Sequence, residues 1–127
     1  MIAGLASGSG KTTVTLGLLR ALARRGKAPA AGKTGPDYID SGFLSAAAGR
    51  KAVNLDQFAM SKPLLAHLAA DQAGDTLIIE GVMGLFDGAS GNAGSSAALA
   101  EALNIPVILV MDIRQTCLLY TSPSPRD

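Results

Sequence analysis

The stretch GLASGSGKTT, residues 4–13, sets closely spaced glycines directly before a lysine and two hydroxyl residues. Backbone N–H groups of a glycine-rich turn at a helix N-terminus form a nest for anionic oxygens, and the helix dipole adds to the attraction. In that reading Gly8, Ser9, Gly10, Lys11, Thr12 and Thr13 cradle the phosphates of a nucleotide such as ATP. Lys11 would reach the β- and γ-phosphates, and the Thr12 hydroxyl would ligate Mg2+. The usual pattern has four residues between its glycines, and its first position falls here on Leu5. Gly4 supplies the glycine instead, so the loop is a variant. Such a loop alone does not separate ATP from GTP, or an enzyme from a switch.

A second group lies in GKTGPDYIDSG, residues 32–42, where Asp37, Tyr38 and Asp40 follow a Gly-Pro turn. Pro36 fixes its own backbone and biases Gly35 towards an extended shape, so the acids are expected on a held loop. For an isolated Gly-Pro-Asp, a plain surface turn is the favoured reading. A third candidate is Glu80, the acid that ends the apolar run TLIIE. Next to a phosphate loop, a strand-end acid can bind the metal directly or through water, and Gly81 lets the backbone pass close to the γ-phosphate. The bland alternative for Glu80 is a solvated strand-end carboxylate. His67 sits in an Ala/Leu helix with no partner at metal spacing, and Met83 reads as a gap-filler in a loop. The single cysteine, Cys117, fits no disulfide or metal-ligand pattern.

These groups need a scaffold that alternates strands and helices. MIAGLA reads as the end of a buried strand, and a helix is expected from Lys11 to about Arg25, with Gly26 just beyond it. KAPAAGK is a weak strand candidate, because alanines stand where branched residues are expected. A short helix is expected over Phe43–Ala48, closed by Gly49, and another over SKPLLAHLAADQAG, with Pro63 in its first turn. TLIIE and IPVILVMD read as buried parallel strands, each ending in an acid, with SSAALAEALN as the helix between them. The stretch from Gly81 to Gly94 is a long functional or mobile loop. Strands alternating with helices imply an α/β fold with a mostly parallel sheet and helices on both faces.

The chain has 127 residues, 48% of them hydrophobic, and a formal net charge of +1. That suits one compact domain and gives no basis for binding nucleic acid or an anionic membrane. The first residues do not read as a signal peptide, since only Met1–Leu5 are mainly apolar, and no apolar run has membrane-spanning length, so a cytoplasmic location is expected.

Together with the phosphate loop, KTGPDYID at 33–40, NLD at 54–56 and EGVMGLFDG at 80–88 make residues 2–114 resemble one family. It is the N-terminal synthetase domain of the cobyrinic acid a,c-diamide synthases, itself related to dethiobiotin synthetase. The resemblance implies a P-loop NTPase-like three-layer α/β/α fold and ATP- and Mg2+-dependent amidation of the a and c acetate carboxylates of a corrinoid. It implies an acyl phosphate intermediate, ammonia derived from glutamine, and a place in cobalamin biosynthesis. By the same resemblance Lys33, Asp37, Tyr38, Asp40 and Asp87 serve the catalytic and substrate-positioning loops. Thr12, Glu80 and Asp37 serve the metal. Two acids beside an anionic substrate would repel it unless a cation lies between them, so at least one is expected to be a ligand. Asp37, Asp40 and Asp56 all remain candidates for it.

A full family member would be about four times longer, with a C-terminal glutaminase domain as partner; that domain is expected to be absent here, and Cys117 is not its nucleophile. The sheet is expected to be incomplete at both ends. Residues 115–127, ending CLLYTSPSPRD, match no expected element and read as disordered or artefactual. With strands missing from its core, the isolated fragment is expected to be inactive. A homodimer is compatible with this reading. The nearest alternative is a diamide synthase of another tetrapyrrole, such as nickel-sirohydrochlorin. A different class is a nucleotide switch of the partition or metallochaperone type. Partition ATPases carry an early extra lysine where Ala6 stands, and metallochaperones would want Cys or His ligands.

Overall fold

The computed structural model describes residues 1–72, 74–89 and 93–113. Its elements are β1 (Ile2–Gly4), α1 (Lys11–Arg24), β2 (Pro29–Thr34), α2 (Tyr38–Ala48), β3 (Val53–Leu55), α3 (Lys62–Ala70), β4 (Thr76–Glu80), α4 (Ser96–Ala102) and β5 (Ile108–Val110). Among the described residues the strands form one sheet in the order β3-β2-β4-β1-β5, and every neighbouring pair is parallel.

Two apolar clusters lie on opposite faces of this sheet. Leu19 of α1 and Leu44 and Ala48 of α2 pack with Ile2, Ala31 and Ile78 on one face. Leu65 of α3 and Leu99 and Ala100 of α4 pack with Met1, Leu55 and Ile79 on the other. The period-two alternation of Ile78 and Ile79 serves both layers, which is why β4 reads as a continuous apolar run. Connections through α1 and α2 run one way along the sheet and those through α3 and α4 run the other. With right-handed crossovers, that reversal requires the two helix pairs to take opposite faces. The architecture is the three-layer α/β/α arrangement expected from the sequence.

β2 shows how a weak-looking strand becomes central. All six of its residues are buried. A Cβ at Gly32 would meet Ile79 Cγ1 at 3.2 Å and Leu55 Cδ1 at 3.5 Å, so the neighbouring strands supply the bulk that β2 lacks. Pro29 stands at its first position, where a missing N–H is tolerated. β5 differs from expectation in the other direction. It is an edge strand beside β1, with Ile108 59% and Leu109 38% exposed, while Val110 packs against the core on the α1/α2 face.

α1 ends as its sequence indicates: Gly26 adopts φ 74, its N–H reaches Ala23 O, and Lys27 N–H reaches Leu22 O. These are the two bonds of a Schellman cap. α2 begins earlier than expected, at Tyr38 instead of Phe43. The Asp37 carboxylate accepts from the N–H groups of Ile39 and Asp40 and so caps the helix. Only the residues up to Asp37 form the expected held loop; Tyr38 and Asp40 belong to the first helical turn.

Candidate functional site

The site forms where the chain direction along the sheet reverses, at the carboxyl ends of the adjacent strands β1 and β4. Open parallel sheets bind ligands at such points. Residues 5–10 leave β1, turn through Gly8 and Gly10 in the left-handed region, and enter α1. Gly10 is the N-cap and offers no side-chain acceptor to the first turn. The first-turn N–H groups of α1 therefore lack the usual side-chain cap, as an anion-binding helix start requires. A Cβ on Gly4 would overlap Ser9 Oγ and meet Lys11 Cγ at 3.1 Å, so the displaced glycine of the variant loop has a steric cause. Ser9 Oγ donates to Ala6 O, while Thr13 is exposed on the first turn.

Lys11 is 7% exposed and donates to the carbonyl oxygens of Ala6, at 2.9 Å, and Met83, at 2.7 Å. Burial and the neighbouring Lys33 push its ammonium below the ordinary lysine value; Glu80 and Asp87 oppose that shift. Thr12 Oγ1 donates to Glu80 Oε1 at 2.6 Å.

Lys33 stands at the centre of the second group. β2 and β4 pair Lys33 with Glu80, and β2 and β3 pair Lys33 with Asn54, so all three share one level and one face. Lys33 Nζ lies 3.1 Å from Glu80 Oε1, 2.8 Å from Asp40 Oδ2 and 3.9 Å from Asp37 Oδ2. Burial works against the Lys33 charge, but the hydrogen bond to Asp40 and the attraction of Glu80 outweigh it. The net effect raises its pKa above the ordinary value.

Glu80 is 1% exposed, and its Oε2 is buried with no hydrogen-bond partner. Three carboxylates thus face one ammonium, with an orphaned oxygen next to the Thr12 hydroxyl. The unpartnered Glu80 oxygen and the Thr12 hydroxyl suit a hard divalent cation completed by phosphate oxygens and water. No three His, Cys, Asp or Glu side chains among the described residues form a metal cage by themselves, as an Mg2+ site shared with a nucleotide would not need.

Asp37 commits Oδ1 to the helix cap and turns Oδ2 towards Lys33. Asp56 caps its own turn through the N–H groups of Phe58 and Ala59 and makes no ion pair with Lys33. It lines a mainly apolar cavity of ≈ 350 Å3 with Pro36, Phe58, Val82 and Met83. Asp87 accepts from Gly84 N–H at 2.8 Å and closes the turn after β4 within electrostatic reach of Lys11. Leu85 N–H donates to Gly4 O, so that turn rests directly on the end of β1. Tyr38 is 81% exposed and covers no core. Ile39 and Phe43, also exposed, stand four residues apart on one side of α2.

His67 is exposed on α3. Cys117 and the 115–127 tail lie outside the described residues. Two contributors escaped the sequence reading. Met83 acts through its backbone carbonyl, at φ 47, which no side-chain pattern signals. Ser96 is fully buried and its hydroxyl lies 2.9 Å from Val82 N and 3.1 Å from Val82 O, which anchors the chain just beyond Glu80. A Cβ on Gly81 would come within 2.6 Å of that hydroxyl.

Residues 1–117 match the family model of the CobQ/CobB/MinD/ParA nucleotide binding domain. The chain is 56% identical over 115 residues to a hydrogenobyrinate a,c-diamide synthase of Brucella anthropi, covering 88% of this chain and 26% of that protein. It is 57% identical over 114 residues to the protein of the same name from Rhizobium meliloti, covering 88% and 27%. With the one from Mesorhizobium japonicum it shares 56% over 112 residues, covering 84% and 26%. The chain spans about a quarter of the length of these curated relatives. No helix among the described residues is long and apolar enough to cross a membrane.

Proposed function

The chain belongs to the CobQ/CobB/MinD/ParA nucleotide-binding family, and from that premise we propose that it is the ATP-binding part of a glutamine-dependent a,c-diamide synthase. The substrate is a corrinoid acid of the cobyrinic or hydrogenobyrinic type, and the reaction belongs to cobalamin biosynthesis. The names of the relatives support the substrate class. The observation that carries the reading is the meeting of phosphate loop and acids: Thr12 on Glu80, Glu80 on Lys33, and Lys33 on Asp40.

A carboxylate resists attack by ammonia, because it is anionic and its leaving group would be oxide. In the proposed reaction a corrinoid carboxylate oxygen attacks the γ-phosphorus of ATP and ADP leaves, giving an acyl phosphate. Ammonia from glutamine then attacks the acyl carbon, phosphate leaves and a proton is lost. Little covalent chemistry falls to the protein, which must align two anions and stabilise the charge on the transferring group.

In this proposal Gly8, Ser9, Gly10, Lys11, Thr12 and Thr13 hold the phosphates. Thr12 and Glu80, with Asp37 as a further candidate, hold Mg2+, which when bound neutralises phosphate charge. Lys33 offers a fixed ammonium to the anion being transferred. Asp40 keeps Lys33 in place and borders the path of the substrate carboxylate, and Asp87 orders the turn facing Lys11. Tyr38, Ile39 and Phe43 give a hydrophobic ring exposed apolar area to rest on. A glutaminase domain elsewhere in a chain of the relatives' length is the source of ammonia, and a cytoplasmic location supplies ATP and glutamine.

The test uses the full-length enzyme with ATP, Mg2+ and ammonium, measuring phosphate release and amide formation with and without hydrogenobyrinic acid. Phosphate release is expected only with the acid, matched by amide product. An Asp40→Ala variant is expected to bind nucleotide and form no amide. Equal ATP turnover without the corrinoid would favour a nucleotide switch and overturn the proposal.

A further inference from the structure

Asn54 is absorbed by none of these roles, yet it holds the acidic segment from the edge strand β3, on the same face as Lys33. Its Nδ2 donates to Gly35 O and to Asp37 O, each at 2.9 Å. Its Oδ1 lies 2.9 Å from Ser41 Oγ, which is also 2.7 Å from Asp37 O. A single side chain from β3 thus satisfies two carbonyls of the turn that carries Asp37 and is itself oriented by the second turn of α2. Gly35 N–H, in turn, donates to Leu55 O, so the end of β3 grips this turn through backbone and side chain together.

Asn54, Lys33 and Glu80 lie side by side across β3, β2 and β4. Lys33 holds the Asp40 carboxylate, and Asn54 holds the Asp37 carbonyl three residues earlier. The start of α2 is therefore fixed at two points, one by charge and one by neutral hydrogen bonds. If the second is lost, Lys33 and the single Gly35–Leu55 backbone bond are left to hold the start of α2 against β2 and β3.

We propose that Asn54 is a positioning residue for phosphoryl transfer: it sets where Asp37 and Asp40 stand relative to Glu80 and the phosphate loop, without touching nucleotide or substrate. This rests on the reading of the site as a carboxylate-activating one. Misplacing a reacting group by about an ångström costs on the order of a hundredfold in rate. Nucleotide binding, which depends on the phosphate loop on the other side of Lys33, is left alone.

The experiment compares wild type with Asn54→Leu, which keeps the volume and removes every hydrogen bond, in the full-length enzyme with ammonium as nitrogen donor. The expected result is a fall of about tenfold to a hundredfold in kcat for corrinoid-dependent phosphate release, with the nucleotide Kd within about twofold of wild type. Ser41→Ala, which removes only the hydroxyl between Asn54 and Asp37, is expected to give a smaller fall in kcat with the same unchanged Kd. An unchanged kcat overturns the inference. So does a parallel loss of kcat and nucleotide affinity, which marks a general packing defect. Should Asn54→Leu fail to fold, Ser41→Ala decides by the same two readouts. Failure of wild type to couple ATP to the corrinoid would instead refute the function itself, so the two outcomes stay distinct.

Discussion

Lys11 bonds two backbone carbonyls, Ala6 O and Met83 O, and a triphosphate competes for the same three protons. Only the ammonium form attracts phosphate. Burial, with Lys33 nearby, holds the Lys11 pKa below the ordinary 10.5, so nucleotide affinity is expected to weaken with rising pH before that value is reached. Lys11→Arg keeps its charge through the same range and is expected to bind more weakly but with a flat profile. Titrating nucleotide affinity from neutral into alkaline pH checks this, and a flat wild-type profile up to 10.5 would refute it. The stability signs differ between the two lysines. With a lowered folded pKa, the native state sheds the Lys11 proton first, so the contribution of Lys11 to stability rises with pH between its lowered and ordinary values. Lys33 has a raised folded pKa; its contribution is complete below 10.5 and is lost as pH climbs through the raised value.

At the scale of elements, the start of α2 does two jobs. Asp37 caps the helix through Oδ1 and offers Oδ2 to the Lys33 cluster. Substitution separates the jobs, because asparagine caps as well as aspartate but carries no charge. Asp37→Ala is expected to lower stability by about 1 kcal/mol, and Asp37→Asn to leave it nearly unchanged. If the charge serves the metal or the substrate path, both variants lose corrinoid-dependent turnover. Chemical denaturation run beside the turnover assay measures each effect, and a fully active Asp37→Asn would reduce Asp37 to a cap. The early start of α2 was within reach of the sequence: Asp37 and Asp40 stand at the N-cap and N3 spacing of a capping box. The Gly-Pro pair before them favours a turn by local propensity and masks that signal. β2 was harder to see, since its burial depends on Ile79 and Leu55 from other strands.

Across the whole molecule, the reversal of chain direction between β1 and β4 places the site, and the sheet's edge sets its solution behaviour. Among the described residues the outer edge of β5 has no partner strand, and Ile108, Leu109 and the following Met111 are exposed. Beside it Phe86, Ile105 and Val107 line an open apolar cavity of ≈ 540 Å3. Exposed apolar edges of this kind template pairing with further strands. The 127-residue chain by itself is expected to self-associate and bind an apolar dye, and Leu109→Lys on the edge strand to suppress both. Light scattering of the two proteins at equal concentration tests this. A monomeric wild type would show that the edge is already protected.

Which parts were legible follows from distance along the chain. The phosphate loop, the helix behind it and the Gly26 cap are built from neighbours, so ten or so residues carry the whole instruction. The motifs at 33–40, 54–56 and 80–88 likewise identified a family that the relatives bear out. By itself, then, the sequence determined the nucleotide-binding chemistry and the alternating fold. The meeting of Lys33 with Glu80 was decided elsewhere. These residues stand 47 apart in sequence, and the backbone pairing of β2 with β4 puts them side by side. The same pairing buries Glu80, orphans its second oxygen and lines Asn54 up behind Lys33. Register is a property of assembled strands, and so the acids became a site only when the sheet closed around them.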